Sequence, residues 1–172
     1  AMPHKSLDPI PVACAIVNQL QTLVSRGVDP LDCAVLTIGK IEAGTVENII
    51  PDEAAIYGTV RTLKKSTQEY MIEGLKRISS HVAAAHLCEA TYIHNPGYPN
   101  TTYTADEARF MGQVMQEMVG TANAFTDIEP AMTAEDFGFM LEEVPGAYGW
   151  IGNGANGQPG VGLHNPSYDF ND

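Results

Sequence analysis

Apolar residues recur at helical spacing near the start of the chain, where Val12, Ile16, Leu20 and Leu23 form one stripe between Asp8 and Arg26. Asp8 is placed to cap this helix, Pro9 to sit in its first turn and Gly27 to end it. The period then changes. Residues 33–42 (CAVLTIGKIE) and 54–63 (AAIYGTVRTL) are rich in β-branched and aromatic residues and too punctuated for helices, which predicts two antiparallel strands joined by the loop 43–53. Ser66 and Glu69 form a capping-box pattern ahead of Met71, Leu75, Ile78 and Val82, so a second amphipathic helix follows, and residues 88–93 return to a strand.

The order helix, strand, strand, helix, strand matches a ferredoxin-like split β-α-β fold that lacks only its first strand, expected upstream of residue 1. The fold class is therefore α+β: a two-layer domain with an antiparallel sheet and two helices over residues 1–97. The turn-rich run Asn95 to Thr102 marks a boundary. Beyond it, Thr104 and Glu107 predict a capped helix to about Met118, Thr133 starts a short helix through Glu143, and residues 147–151 form an apolar strand before a glycine-rich loop, 152–162. At about 75 residues and poor in strands, the segment 98–172 is too small to close a core alone and has the character of the C-terminal part of a larger α/β domain.

Nine Lys and Arg against 21 Asp and Glu give a net charge of −12, which repels the phosphate backbone of nucleic acids. No run approaches the roughly 18 apolar residues needed to span a bilayer, and no secretory signal opens the chain. Cys14, Cys33 and Cys88 are odd in number and widely spaced, so they fit neither a disulfide framework nor a zinc motif and are expected to be packing thiols in the cytoplasm. The run GNGANGQPG lacks the Gly-Lys-Ser/Thr ending of a phosphate loop. Glu135 and Asp136 follow Thr133 in an expected first helical turn, where the helix dipole favours carboxylates, so they are taken as supporting rather than catalytic residues. His81, His86 and His94 show no ligand spacing.

Three stretches resemble one family in its order: AMPHKSLDPI at the start; AGTVENIIPDEA with GTVRT in the middle; and TAEDFGFML, PGAYGWIGNG and LHNPSYDFND at the end. The chain is similar across nearly its whole length to M20 peptidases, particularly the amidohydrolases related to hippurate hydrolase, N-acyl amino acid deacylases and auxin-conjugate hydrolases. Ser6 stands where that family usually has Gly, and Glu47 where it has a small residue. The family's Cys-x-His pair, paired glutamates and further histidine have no counterpart in these 172 residues.

The resemblance implies a metal-dependent amidohydrolase acting on N-acyl amino acids or small peptides. It also implies two divalent ions (zinc, manganese or nickel) per complete site and a homodimer formed through the ferredoxin-like lid. His164 falls on the C-terminal metal ligand, and His4, Asn48 and Arg61 fall on substrate-contacting lid positions. No catalytic residue is assigned within the chain, which is expected to be inactive alone. The residue types suit these roles: a neutral imidazole is a good ligand for such ions, and a planar guanidinium grips a carboxylate with two parallel hydrogen bonds. Arg61 shares a strand face with Tyr57 and Thr59, because alternate residues point the same way. Taken alone, a strand arginine is an ordinary solvated charge, a loop histidine an ordinary surface residue, and Asn48 as readily completes a turn as holds a substrate oxygen. The rival reading is a non-catalytic ferredoxin-like module for dimerisation or small-ligand binding.

Overall fold

The computed structural model describes residues 2–154 and 158–169. They form two compact units, the first running to Asn100 and including Ala131–Thr133, the second made of Thr101–Pro130 and the chain from Ala134 onward. In the first unit, α1 spans Pro9–Thr22 and is capped by Asp8, whose Oδ1 accepts from the Ile10 N–H at 3.0 Å. A π-helical turn, Leu23–Gly27, continues it. Strands β1 (Ala34–Ala43) and β2 (Ala54–Thr62) make an antiparallel hairpin, and α2 (Lys65–Ala85) follows. Both helices lie on one face of the hairpin. Val12, Ile16, Leu20, Leu23, Met71, Leu75 and Ala83 form the buried centre, against which Ala34, Leu36, Ile38, Ile56 and Val60 pack. Burial of each of the larger side chains contributes on the order of 1.5–3 kcal/mol.

The hairpin register carries one irregularity. Ile38 pairs with Gly58 and Lys40 with Tyr57, leaving Gly39 as an extra residue in β1. This bulge shifts the alternation by one, so that Ile41 and Ala43 sit opposite Ile56 and Ala54, on the same face as Leu36 and Ile38. The opposite face then carries Val35, Thr37, Lys40 and Glu42 beside Arg61, Thr59, Tyr57 and Ala55. Close approach of the helices rests on glycine: a Cβ at Gly74 would lie 2.3 Å from Leu23 Cδ2, and one at Gly27 would lie 1.9 Å from the Tyr70 hydroxyl oxygen.

Three expectations need correction here. Ser66 does not cap α2: its N-cap is Lys64, without a side-chain cap, and the neighbouring Thr67 hydroxyl donates instead to the Asp32 carboxylate. Residues 88–93 form no strand ladder, although Cys88, Ala90 and Tyr92 alternate inward onto the core while Glu89, Thr91 and Ile93 face out. The side-chain pattern is that of a strand, but the described residues offer no neighbour to complete the hydrogen bonds. Cys14 and Cys33 are exposed, and only Cys88 packs against the core.

In the second unit, α3 (Ala105–Val119) begins at Thr104 as expected, but the Thr104 hydroxyl donates to the Glu107 carboxylate instead of capping a backbone N–H. The Thr104 N–H also donates to the Gly146 carbonyl, and the Gly146 N–H donates to the Thr104 hydroxyl oxygen. Helix α4 covers only Phe137–Glu143, starting four residues after Thr133, so Glu135 and Asp136 precede the helix instead of filling its first turn. Residues 147–151 are not in a ladder either; among the described residues the only sheet is the β1–β2 hairpin.

Three substitutions test this account. Gly74→Ala replaces a poor helix former by the best one, yet it pushes a methyl into buried Leu23 and should cost about 1–3 kcal/mol in urea unfolding. Leu87→Gly should act oppositely. Leu87 lies just past α2 at φ +61, its N–H bonded to Ala84 O and the Cys88 N–H to Ala83 O, the closing motif in which glycine is preferred. Removing its exposed side chain there should stabilise by about 0.5–1 kcal/mol. The third concerns Asp32. The Thr67 hydroxyl holds its carboxyl below the ordinary 3.8 against the opposing effect of burial, with help from the Cys33 N–H and the Lys64 ammonium. A lowered folded-state pKa adds stability above the unfolded pKa that is lost as pH falls through the folded value. Asp32→Asn should therefore be destabilised at pH 7, and its gap from wild type should narrow below about pH 4 in denaturation midpoints.

Candidate functional site

Each candidate residue can now be placed. His4 sits in a 3-10 turn, Pro3–Lys5, just before α1 and exposed. Proline at the first position presets the turn. Asn48 is exposed in the loop between β1 and β2. Arg61 is on β2 opposite Val35, on the face away from the helices, as the alternation with Tyr57 and Thr59 requires. Its Nη1 donates to the Met132 carbonyl at 3.0 Å, which pins one edge of the guanidinium by a contact 71 residues away in sequence. Its other N–H groups have no partner among the described residues.

The hairpin does not bring Asn48 and Arg61 together. Arg61 lies near the open end, seven residues beyond Ala54 (61 − 54 = 7), about 23 Å of strand at roughly 3.3 Å per residue from the turn end that bears Asn48. Between them the exposed face carries Lys40, whose ammonium is 5.0 Å from the Tyr57 ring centroid and 2.6 Å from Glu42 Oε1. Lys40 was not singled out from sequence; only the bulge at Gly39 puts it on the Arg61 face.

His164 belongs to the second unit. It is exposed and holds a left-handed backbone, φ +66, which histidine tolerates better than most residues at a cost on the order of 1–3 kcal/mol. The chain on either side of it is tied to one side chain: Asn153 Nδ2 donates to Val161 O at 2.8 Å and to Asp169 O at 3.0 Å. Immediately after His164, Asn165 Oδ1 accepts from the Ser167 N–H at 2.9 Å, a local turn that the intervening Pro166 favours. Nearby in sequence, the Tyr148 ring makes contacts with Phe137 and Trp150. Burial first, then the charges of Glu135 and Asp136, hold this phenol above its ordinary 10, so it stays a donor. The aromatic cluster is half-buried, with Trp150 exposed.

Chemically, an imidazole such as that of His164 is a donor type suited to a divalent ion. Among the described residues, no three His, Cys, Asp or Glu side chains converge on a cation site. By donor type the imidazole fits a single place in the shell of such an ion. What the first unit offers is a fixed guanidinium on an open sheet face.

Comparison with known proteins bears on both units. A family profile described as the peptidase dimerisation domain of the M20 group matches residues 1–86, half of the chain. An N-acetyldiaminopimelate deacetylase of Priestia megaterium is 40% identical over 169 residues, covering 95% of this chain and 42% of that protein. The deacetylase of the same description from Brevibacillus brevis is 35% identical over 172 residues, covering all of this chain and 44% of its own length. The chain therefore spans about two fifths of the length of the curated relatives it matches. Among solved structures, a protein assigned as an aminohydrolase from methicillin-resistant Staphylococcus aureus superposes with a TM-score of 0.83 at 26% identity, over 98% of this chain and 43% of that one. A dinuclear metal-binding peptidase of the M20 family from Bacillus subtilis gives 0.66 at 27% identity, over 81% of this chain and 35% of its own. With the dimerisation domain matched from the first turn through α2 and the α+β fold of the solved relatives reproduced, the chain belongs to the M20 peptidase family.

Proposed function

We propose that this chain is part of a metal-dependent amidohydrolase that cleaves the acyl amide bond of N-acyl amino acids or small peptides, with residues 1–97 as the lid and 98–172 as part of the catalytic domain. The observation that carries the reading is Arg61. It stands on the open sheet face, anchored on one side by the Met132 carbonyl and presenting its remaining donors outward. Such a guanidinium suits the free carboxylate that every N-acyl amino acid bears. The relatives' described substrate, an N-acetylated diamino dicarboxylic acid, is of this chemical class.

His164 contributes one ligand to a centre of two divalent ions, zinc, manganese or nickel, which when bound supply an activated water and polarise the scissile carbonyl. Asn48 and His4 grip the substrate from the turn end of the hairpin and the turn before α1. Since some 23 Å of strand separates Asn48 from Arg61, the two serve different parts of a substrate or different active sites of a homodimer. Among the described residues the outer edge of β1 has no strand partner and is available for pairing of two lids, and the dimerisation-domain match supports that assembly. The protein works in the cytoplasm, away from nucleic acids and membranes. A net charge of −12 accords with this, and no helix among the described residues is long and apolar enough to cross a membrane.

The test uses the full-length parent. It should release free amine from N-acyl amino acids only with divalent metal present. His164→Ala should lose bound metal after dialysis. Arg61→Ala should lower kcat/KM about tenfold to a hundredfold on substrates with a free carboxylate, and far less on their amide-capped forms. Arg61→Lys should restore little, because an ammonium cannot make the paired contact. The 172-residue chain alone should show no turnover. Metal-independent hydrolysis, or equal loss on capped and uncapped substrates, overturns the reading.

A further inference from the structure

The histidine loop is held by a device outside the residues that touch metal or substrate. We infer that Asn153 is a positioning residue for His164, clamping both flanks of the loop so that the imidazole keeps one direction. This rests on His164 acting as a metal ligand, but the geometry stands independently of it.

One side-chain amide has two N–H donors, and here both go to backbone carbonyls: Val161, three residues before His164, and Asp169, five after it. The two ends of a nine-residue arch (161–169) thus meet at a single point. Fixing both ends limits what lies between, and His164 is the fourth of the nine residues. Its left-handed φ of +66 is a conformation a free loop would leave for the extended or right-handed regions. The Asn165–Ser167 turn stiffens the descending limb.

Gly160 is explained by the same clamp, and Gly154 by the backbone that passes beside it. A Cβ on Gly160 would lie 1.9 Å from Asn153 Oδ1, and one on Gly154 would lie 2.4 Å from Gln158 O. Backbone must pass where any side chain would stand, so that the amide can reach across. Within the glycine-rich run, Gly160 is thus packed directly against the Asn153 side chain.

The clamp is tested by NMR on the 172-residue chain. In the unaltered protein the Asn153 side-chain amide should show couplings across its hydrogen bonds to the Val161 and Asp169 carbonyls, and slowed exchange with water. Absence of both overturns the proposal without any substitution, so a variant that fails to fold cannot shelter it. Asn153→Ala, and Asn153→Asp, which keeps the shape but has no N–H to donate, should move the His164 13Cα and 13Cβ shifts out of the left-handed range. They should also raise amide exchange over the arch about tenfold or more. Thr104→Ala, which removes a hydroxyl contact elsewhere in the same unit, should leave the His164 shifts in place. If the His164 shifts in Asn153→Asp stay at their wild-type values, Asn153 is structural only and the inference fails. Failure of the metal reading would appear separately, as unchanged metal content in His164→Ala of the parent.

Discussion

Two helices can cover only one face of a two-stranded hairpin, and the first unit is organised by that asymmetry. The stripe Val12, Ile16, Leu20 on α1 and the pair Met71, Leu75 on α2 drain the apolar residues of β1 and β2 to one side. What remains on the other side, apart from Val35 and Ala55, is compatible with water: threonines, Lys40, Glu42, Tyr57 and Arg61. The polar face is thus a by-product of core formation. Arg61 presents itself because Val60 and Thr62, its neighbours in sequence, are drawn inward.

Much of this unit was legible in advance, because each of its signals is local. Asp8, Pro9 and the apolar stripe define α1 within one turn or two, and the β-branched runs give both strands within a residue of their ends. The bulge was not legible, since Gly39 in a strand has several uses and only cross-strand pairing decides among them. Cap chemistry was also hidden. Ser66 and Glu69 satisfy the spacing for a box, but Asp32, more than thirty residues away, engages Thr67 and the helix starts without a box. Residues 88–93 show why a side-chain pattern is only half of a strand: the inward alternation is present, while the backbone partner is a tertiary matter.

The second unit was harder to read. Its apolar residues include Phe110, Val114 and Met118 at helical spacing on α3, together with Ile151 at 97% exposure, so the local pattern refers to neighbours that the unit does not contain. Expecting a helix from Thr133 and a strand over 147–151 followed correct propensities into a context that decides otherwise. Among the candidate residues, Arg61 could be oriented from alternation alone. His164 required the surrounding motif, and the backbone that aims it could not be seen from residue types, because a left-handed histidine has no signature in sequence.

The bulge at Gly39 divides the hairpin into two mechanical halves. From Ala34 to Ile38 the strands keep one phase with α1 and α2, and beyond Lys40 they keep another. A bulge also bends its strand and increases local twist. Length changes in the turn-end loop are therefore absorbed on the far side of that joint, and the segment carrying Arg61 stays anchored to the core. Such a hairpin can acquire a new tip without losing its grip at the base.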